Sequence, residues 1–125
     1  MTENQLSFEI RGAAFTVNRE LGPGLFESVY EEALVFELES LGLEVKRQVG
    51  VPMYYKEIRL DIGFRLDLLV EDKVIVEIKS VENLMNVHYK QLLTYLKLTD
   101  KKLGLLINFN TANLNYSIKR IVNNL

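Results

Sequence analysis

The sequence contains no cysteine. That excludes disulfide staples and thiolate zinc sites, and makes a reducing cytosol the expected setting. No apolar run approaches the ~18 residues needed to cross a bilayer, and the first residues do not follow a signal-peptide pattern. A cytoplasmic protein without membrane contact is therefore expected. Positive charge is not in excess: 15 Lys and Arg against 17 Asp and Glu leave a net charge of −2. A strong non-specific nucleic-acid binder usually shows a basic footprint, but clustered carboxylates with a local basic surface remain compatible with an enzyme. Repeats, low-complexity tracts and linkers are also missing, so residues 1–125 read as one domain. What is present is an ordinary globular composition, 48% hydrophobic and 26% charged. A chain of this length buries over ~60% of its unfolded surface, enough for a core without staples.

Leu6, Ile10, Ala13, Ala14, Val17 and Leu21 recur at helical spacing and predict a helix over 6–21. Gly22-Pro23-Gly24 stops it. A second helix is expected over 26–41, with Gly42 as its stop. The period then changes. Val45, Val49, Val51, Met53 and Tyr55 predict an extended segment, followed by a turn over 54–57. Leu60, Ile62, Phe64, Leu66 and Leu68 alternate with mostly polar partners, the pattern of a half-buried strand. Glu71-Asp72-Lys73 is a tight polar turn, and 74–81 reads as a central, β-branched strand. A helix is expected over 84–98 and an apolar strand over 103–109, while 116–122 fits a final strand or a short helix. The order α-α-β-β-β-α-β plus a tail defines an α/β (α+β) domain, a mixed sheet flanked by helices.

The chemistry concentrates in Val74-Ile75-Val76-Glu77-Ile78-Lys79. Side chains alternate along a strand, so Glu77 and Lys79 share a face at the end of an otherwise apolar element. Unpaired charges there are costly to bury. Counting outward from the turn at 71–73 puts Asp67 of the preceding strand beside Glu77. Two carboxylates this close repel unless a cation sits between them. Oxygen-only ligands suit Mg²⁺ or Mn²⁺ rather than Zn²⁺. Such an ion polarises a phosphate and lowers the pKa of a bound water, with Lys79 orienting that water or stabilising the transition state. The alternative is a Glu77–Lys79 salt bridge on a solvated face, with Asp67 a strand-end residue.

Two helices offer further candidates. Met85, Tyr89, Leu92, Leu93 and Leu96 form a core stripe, and His88, Gln91 and Tyr95 fall on an adjacent face. The helix directly follows the Glu77–Lys79 strand, so Gln91 and Tyr95 can return towards it. They read equally as a surface amide and a half-buried core phenol. His88, the only histidine, is of a type more often structural than ligating. Glu27 stands in the first turn of the second helix, where the helix dipole favours an anion. Tyr30 follows three residues later. Both are compatible with one pocket, or with a helix-start acid and a core aromatic.

The run Gly24-Leu25-Phe26-Glu27-Ser28-Val29-Tyr30 resembles the pattern that names the GxxExxY proteins, a branch of the PD-(D/E)XK nuclease superfamily. The resemblance covers nearly the whole chain, including Ile107-Asn108-Phe109 and the closing Ile118-Lys119-Arg120-Ile121-Val122-Asn123. It implies a restriction-endonuclease-like core in which Asp67 and Glu77 bind a divalent metal and Lys79 is the catalytic lysine. Glu27 resembles the helical acid that completes the metal site. Gln91 and Tyr95 look like the glutamine–tyrosine helix motif of RecB-like nucleases, whose glutamine supports the active site. No proline precedes Asp67, a departure common in the superfamily. The implied activity is Mg²⁺- or Mn²⁺-dependent hydrolysis of phosphodiester bonds, with DNA as the expected partner and RNA as the alternative. A catalytically silent module that binds nucleic acid or protein is the competing reading, favoured by small size and negative charge. A homo-oligomer or protein partner would then supply the nucleic-acid surface. A small-molecule phosphodiesterase, or an unrelated metal hydrolase, is a third.

Overall fold

A computed structural model describes residues 1–125, apart from the side chains of Asp61 and Ile62. Ile62, part of the alternation noted above, therefore lies outside the described residues. The elements are α1 (Glu3–Leu21), α2 (Glu27–Ser40), β1 (Val45–Tyr55), β2 (Ile58–Val70), β3 (Val74–Lys79), α3 (Asn86–Thr99), β4 (Leu103–Asn108), a 3-10 turn (Leu114–Tyr116) and β5 (Ile118–Val122). The ambiguous tail thus resolves into a short turn and an edge strand. Helix α1 begins earlier than the apolar period suggests because Thr2 caps it. The Thr2 hydroxyl accepts the Gln5 amide, and the Gln5 side chain accepts the Thr2 amide.

The five strands form one sheet in sequential order. Neighbours are antiparallel except β3 and β4, which run parallel and are joined by the α3 crossover. Helices α1 and α2 bury Leu6, Ile10, Leu34 and Leu38 against Val74, Val76 and Ile78 on one face. Helix α3 buries Leu92, Tyr95 and Leu96 against Ile75 and Leu106 on the other. The layers therefore read helix–sheet–helix, as expected. Two residues of the predicted α3 stripe depart from it: Leu93 is half-buried and belongs to neither cluster, and Met85 lies outside the helix. Met85 precedes the helix and is 59% exposed.

The predicted alternation along β2 breaks at Asp67. Leu66 sits in the cluster under α3, whereas Leu68, two residues on, sits in the opposite cluster. Strand β1 changes face at the same level: Val49 packs on the α3 side and Val45 on the other. Between them Gln48 adopts φ 50°, the left-handed region that a non-glycine residue seldom occupies. The two strands pair as Arg47–Leu68 and Val49–Leu66, so Gln48 lies opposite Asp67. The pairing register is the same on both sides of this point, so the two strands change face together. The joint change of face turns β1 and β2 over at the level of the carboxylate.

Helix α3 rests closely on β4. A β-carbon placed on Gly104 would meet Leu92 Cδ1 at 2.8 Å, Cγ at 2.9 Å and Cδ2 at 3.0 Å. Gly104→Ala should therefore destabilise the fold by ~1–3 kcal/mol, read as a lower urea midpoint at unchanged slope. Leu92→Ala makes room, so the double variant should be less destabilised than the two single losses added together. Strict additivity would show that the helix does not bear on this glycine.

Candidate active site

Glu77 is only 4% exposed, and Asp67 beside it is half-buried. The β2–β3 ladder runs Val70–Val74, Leu69–Ile75, Leu68–Val76 and goes no further. One more step would pair Asp67 with Glu77. Instead each carboxylate takes a main-chain donor from the other's strand. The Asp67 amide donates to Glu77 Oε1 at 3.3 Å, and the Ile78 amide donates to Asp67 Oδ2 at 2.8 Å. The strands part where the side chains replace carbonyls as acceptors. No buried side-chain polar atom among the described residues lacks a partner.

Burial pushes the Glu77 carboxyl up to about 9, and the neighbouring Asp67 charge and hydrogen bond add to the rise. The Asp67 amide and the Lys79 ammonium pull it back only in part. Lys79 is half-buried at the end of β3. It is not within ion-pair distance of Glu77: the ion pairs among the described residues join Lys46 to Glu44, Arg47 to Glu31 and Glu32, and Lys101 to Asp72. The solvated salt-bridge alternative therefore does not describe this site. Tyr95, 4% exposed, lies within reach of the charges of the same carboxylates. Desolvation, then Glu77 and Asp67, raise its phenol to about 12, so it remains a neutral hydroxyl. Its ring packs tilted against Phe64, centroids 5.4 Å apart. Gln91, half-buried, lies one turn before Tyr95 on α3.

Glu27 is the first residue of α2. Its carboxylate accepts the Ser80 amide at 3.2 Å, and the Ser80 hydroxyl donates to the Leu25 carbonyl at 2.6 Å. Glu27 thus reaches the end of β3, next to Lys79. Among the described residues no three carboxylates or imidazoles gather as a metal-holding cluster. The close pair is Asp67 and Glu77, with Glu27 at Ser80. Tyr30 does not line the site. It is fully buried, stacks on Phe109 at 4.8 Å, and donates its hydroxyl to the Gly22 carbonyl at 2.6 Å. The same hydroxyl accepts the Leu25 amide, and Asn110 accepts the Gly24 amide. Gly22 and Gly24 take φ 69° and 94°, which only glycine adopts without strain. His88 accepts the Met85 amide at 3.0 Å and so closes the start of α3.

Asn108 enters the sequence pattern only within Ile107-Asn108-Phe109, and Ser80 not at all. Asn108 is 5% exposed, and its side chain accepts the Val81 amide and donates to the Val81 carbonyl. It pairs in register with Lys79, so it fixes the chain leaving the site. An amide closing a wholly apolar strand was the available signal, because buried polar groups need partners.

The donors fit a divalent ion. Both are carboxylate oxygens, the set that Mg²⁺ and Mn²⁺ prefer, and Mg²⁺ commonly uses one or two carboxylates with water and phosphate completing its shell. One buried carboxyl also retains its proton near neutrality unless a cation compensates it.

A family model of the PD-(D/E)XK nuclease superfamily matches residues 4–121, and the chain belongs to that superfamily. Its members generally use divalent metal ions, and their class of substrate is nucleic acid. No curated protein and no solved structure matches the chain. Among the described residues, no helix is long and apolar enough to cross a membrane.

The raised Glu77 carboxyl sets a pH dependence in metal-free buffer. Below the ordinary value of 4.5 the group is protonated in both states. Between 4.5 and about 9 the unfolded chain releases the proton while the folded chain keeps it, so stability falls as pH rises. Glu77→Gln keeps the acceptor for the Asp67 amide and removes the titration. Its Tm should exceed that of the wild type at pH 8, with the gap closing towards pH 5. Parallel Tm–pH curves would contradict the assignment.

Proposed function

We propose that the protein is a Mg²⁺- or Mn²⁺-dependent nuclease of the GxxExxY branch, hydrolysing phosphodiester bonds of DNA or RNA. The observation that carries this reading is the Asp67–Glu77 pair, Glu77 buried and Asp67 half-buried, held where β2 and β3 part, with Lys79 at the same strand end. Asp67 and Glu77 hold the ion, and Glu27, bonded to Ser80 beside Lys79, is the outer acid of the set. When bound, the ion supplies Lewis-acid polarisation of the phosphate and a lowered pKa for water.

The chain's own groups do the rest. Lys79 places a positive charge where the phosphate gains negative charge in the transition state. Tyr95 keeps its proton and offers a neutral hydroxyl beside the carboxylates. Gln91, one turn earlier, supports the same wall of the site. Glu27 and Ser80 fix the end of β3, which holds Lys79 in place. A positioned site gains rate because its charges need not reorganise during reaction.

A second reading, a silent binding module, is favoured by one observation: the described residues do not gather a third ligand with Asp67 and Glu77. One experiment separates the two. Mn²⁺ binding is measured by calorimetry, and cleavage is followed on single-stranded, double-stranded and branched DNA and on RNA. The nuclease reading expects metal-dependent cleavage by the wild type. Asp67→Asn should lose both metal binding and cleavage. Lys79→Ala should keep the metal and lose ~10²–10³ in kcat, the scale for removing one stabilising group. Absence of Mn²⁺ binding at millimolar ion, or cleavage unchanged in both variants, would overturn it.

A further inference from the structure

We propose that a groove beside the carboxylate pair is a subsite for single-stranded nucleic acid, seating a neighbouring phosphate on Lys119 and a base against Tyr116 and Tyr89. The proposal rests on the nuclease reading above and names the strandedness of its substrate.

The groove has a volume of about 230 Å³ and is bordered by Glu82, Asn83, Tyr89, Asn108, Tyr116 and Lys119. It is smaller than the ~300–1,000 Å³ clefts that engulf small ligands, and suits one unit of a longer chain. Its place follows from the sheet register. Glu77 pairs with Leu106, and Leu106 pairs with Lys119. Residues directly opposite one another point to the same face, so Lys119 stands on the α3 face in one row with Glu77. Neighbouring strands lie roughly 4.8 Å apart, which puts the two backbones about 10 Å from each other. Asn108, the register partner of Lys79, lies between the two regions. Its amide group is engaged with Val81 and Asn110, so the floor is rigid.

The groups left to meet a ligand are a cation and two rings. Among the described residues Lys119 has no ion-pair partner, whereas Arg47 and Lys101 are each held by carboxylates. Tyr116 is 79% exposed, so its ring does little for the core and is open to stacking. Tyr89 is half-buried against the cluster under α3, a firm edge for a second contact. A duplex binder takes its affinity from many phosphate contacts. This chain has a net charge of −2, which leaves stacking as the larger source. Stacking needs bases free of their partners and tolerates any sequence. Glu82 on the rim opposes an anion and supplies an internal control.

The test is fluorescence anisotropy of labelled oligothymidylate, oligouridylate and a duplex of equal length, in EDTA, with cleavage in Mn²⁺ measured in parallel. The wild type should bind at least one single strand more tightly than the duplex, and the two single strands report whether DNA or RNA is preferred. Tyr116→Ala, an exposed change that spares the core, should weaken binding by ~5- to 100-fold with the salt slope unchanged. Lys119→Ala should reduce the salt slope by ~0.7, and Glu82→Gln should tighten binding. Duplex preference, no single-strand binding at millimolar protein, or wild-type affinity in both Tyr116→Ala and Lys119→Ala would overturn the subsite. Single-strand binding that depends on these residues without any cleavage would leave the subsite standing and remove the nuclease reading. Cleavage with unaltered affinity in both variants would do the reverse.

Discussion

The structure depends on two carboxylates that cannot comfortably share one buried place. Asp67 and Glu77 lie where the next rung of an antiparallel ladder would be, and each accepts an amide from the opposite strand. The cross-over of acceptors keeps the main chain satisfied while the strands separate. It also holds two oxygen donors side by side, one of them almost fully buried. Burial, and then the Asp67 charge beside it, raise the Glu77 carboxyl to about 9. Burying like charge is a stability liability, so the pair is best understood through what a cation would gain there. The face change at Gln48 and Asp67 serves the same level of the sheet, since it turns β1 and β2 around the carboxylates.

Around this pair the chain builds a frame from distant segments. The Gly22-Pro23-Gly24 turn is held by the Tyr30 hydroxyl and by Asn110. The start of α2 then grips Ser80 through Glu27 and through the Leu25 carbonyl. Asn108 fixes Val81, and the Phe109 amide donates to the Lys79 carbonyl. The chain leaving β3 is therefore tied to α2 on one side and β4 on the other. The run from Gly24 to Tyr30 makes physical sense as this clasp: glycine for the turn, glutamate for the strand end, tyrosine for the core and the turn together. Superfamily membership gives the frame its chemical context.

Much of this was legible in the residues. The helix period of α1, the tight turn at 71–73 and the apolar strand β3 led directly to a mixed sheet between helices. Counting from that turn was enough to set Asp67 beside Glu77. The rest depends on contacts distant in sequence. Nothing local to Glu27 announces Ser80, which is 53 residues away. The reversal of faces at Asp67 is invisible to a period of two, because the pattern from Leu60 to Leu68 is unbroken in the sequence. Met85 looked like part of the α3 stripe, yet the helix starts after it, with His88 closing the first turn. Tyr95 reads from sequence as a core phenol or a site residue; it is buried in the cluster under α3, within reach of the Glu77 and Asp67 charges.

We propose Asp67 and Glu77 together as a divalent-metal site. The most direct measurement is an anomalous difference map from crystals of the protein soaked in Mn²⁺. A peak is expected at the two side chains, with at least one oxygen of each in the ion's coordination shell. A map with Mn²⁺ elsewhere and none at this pair would contradict it.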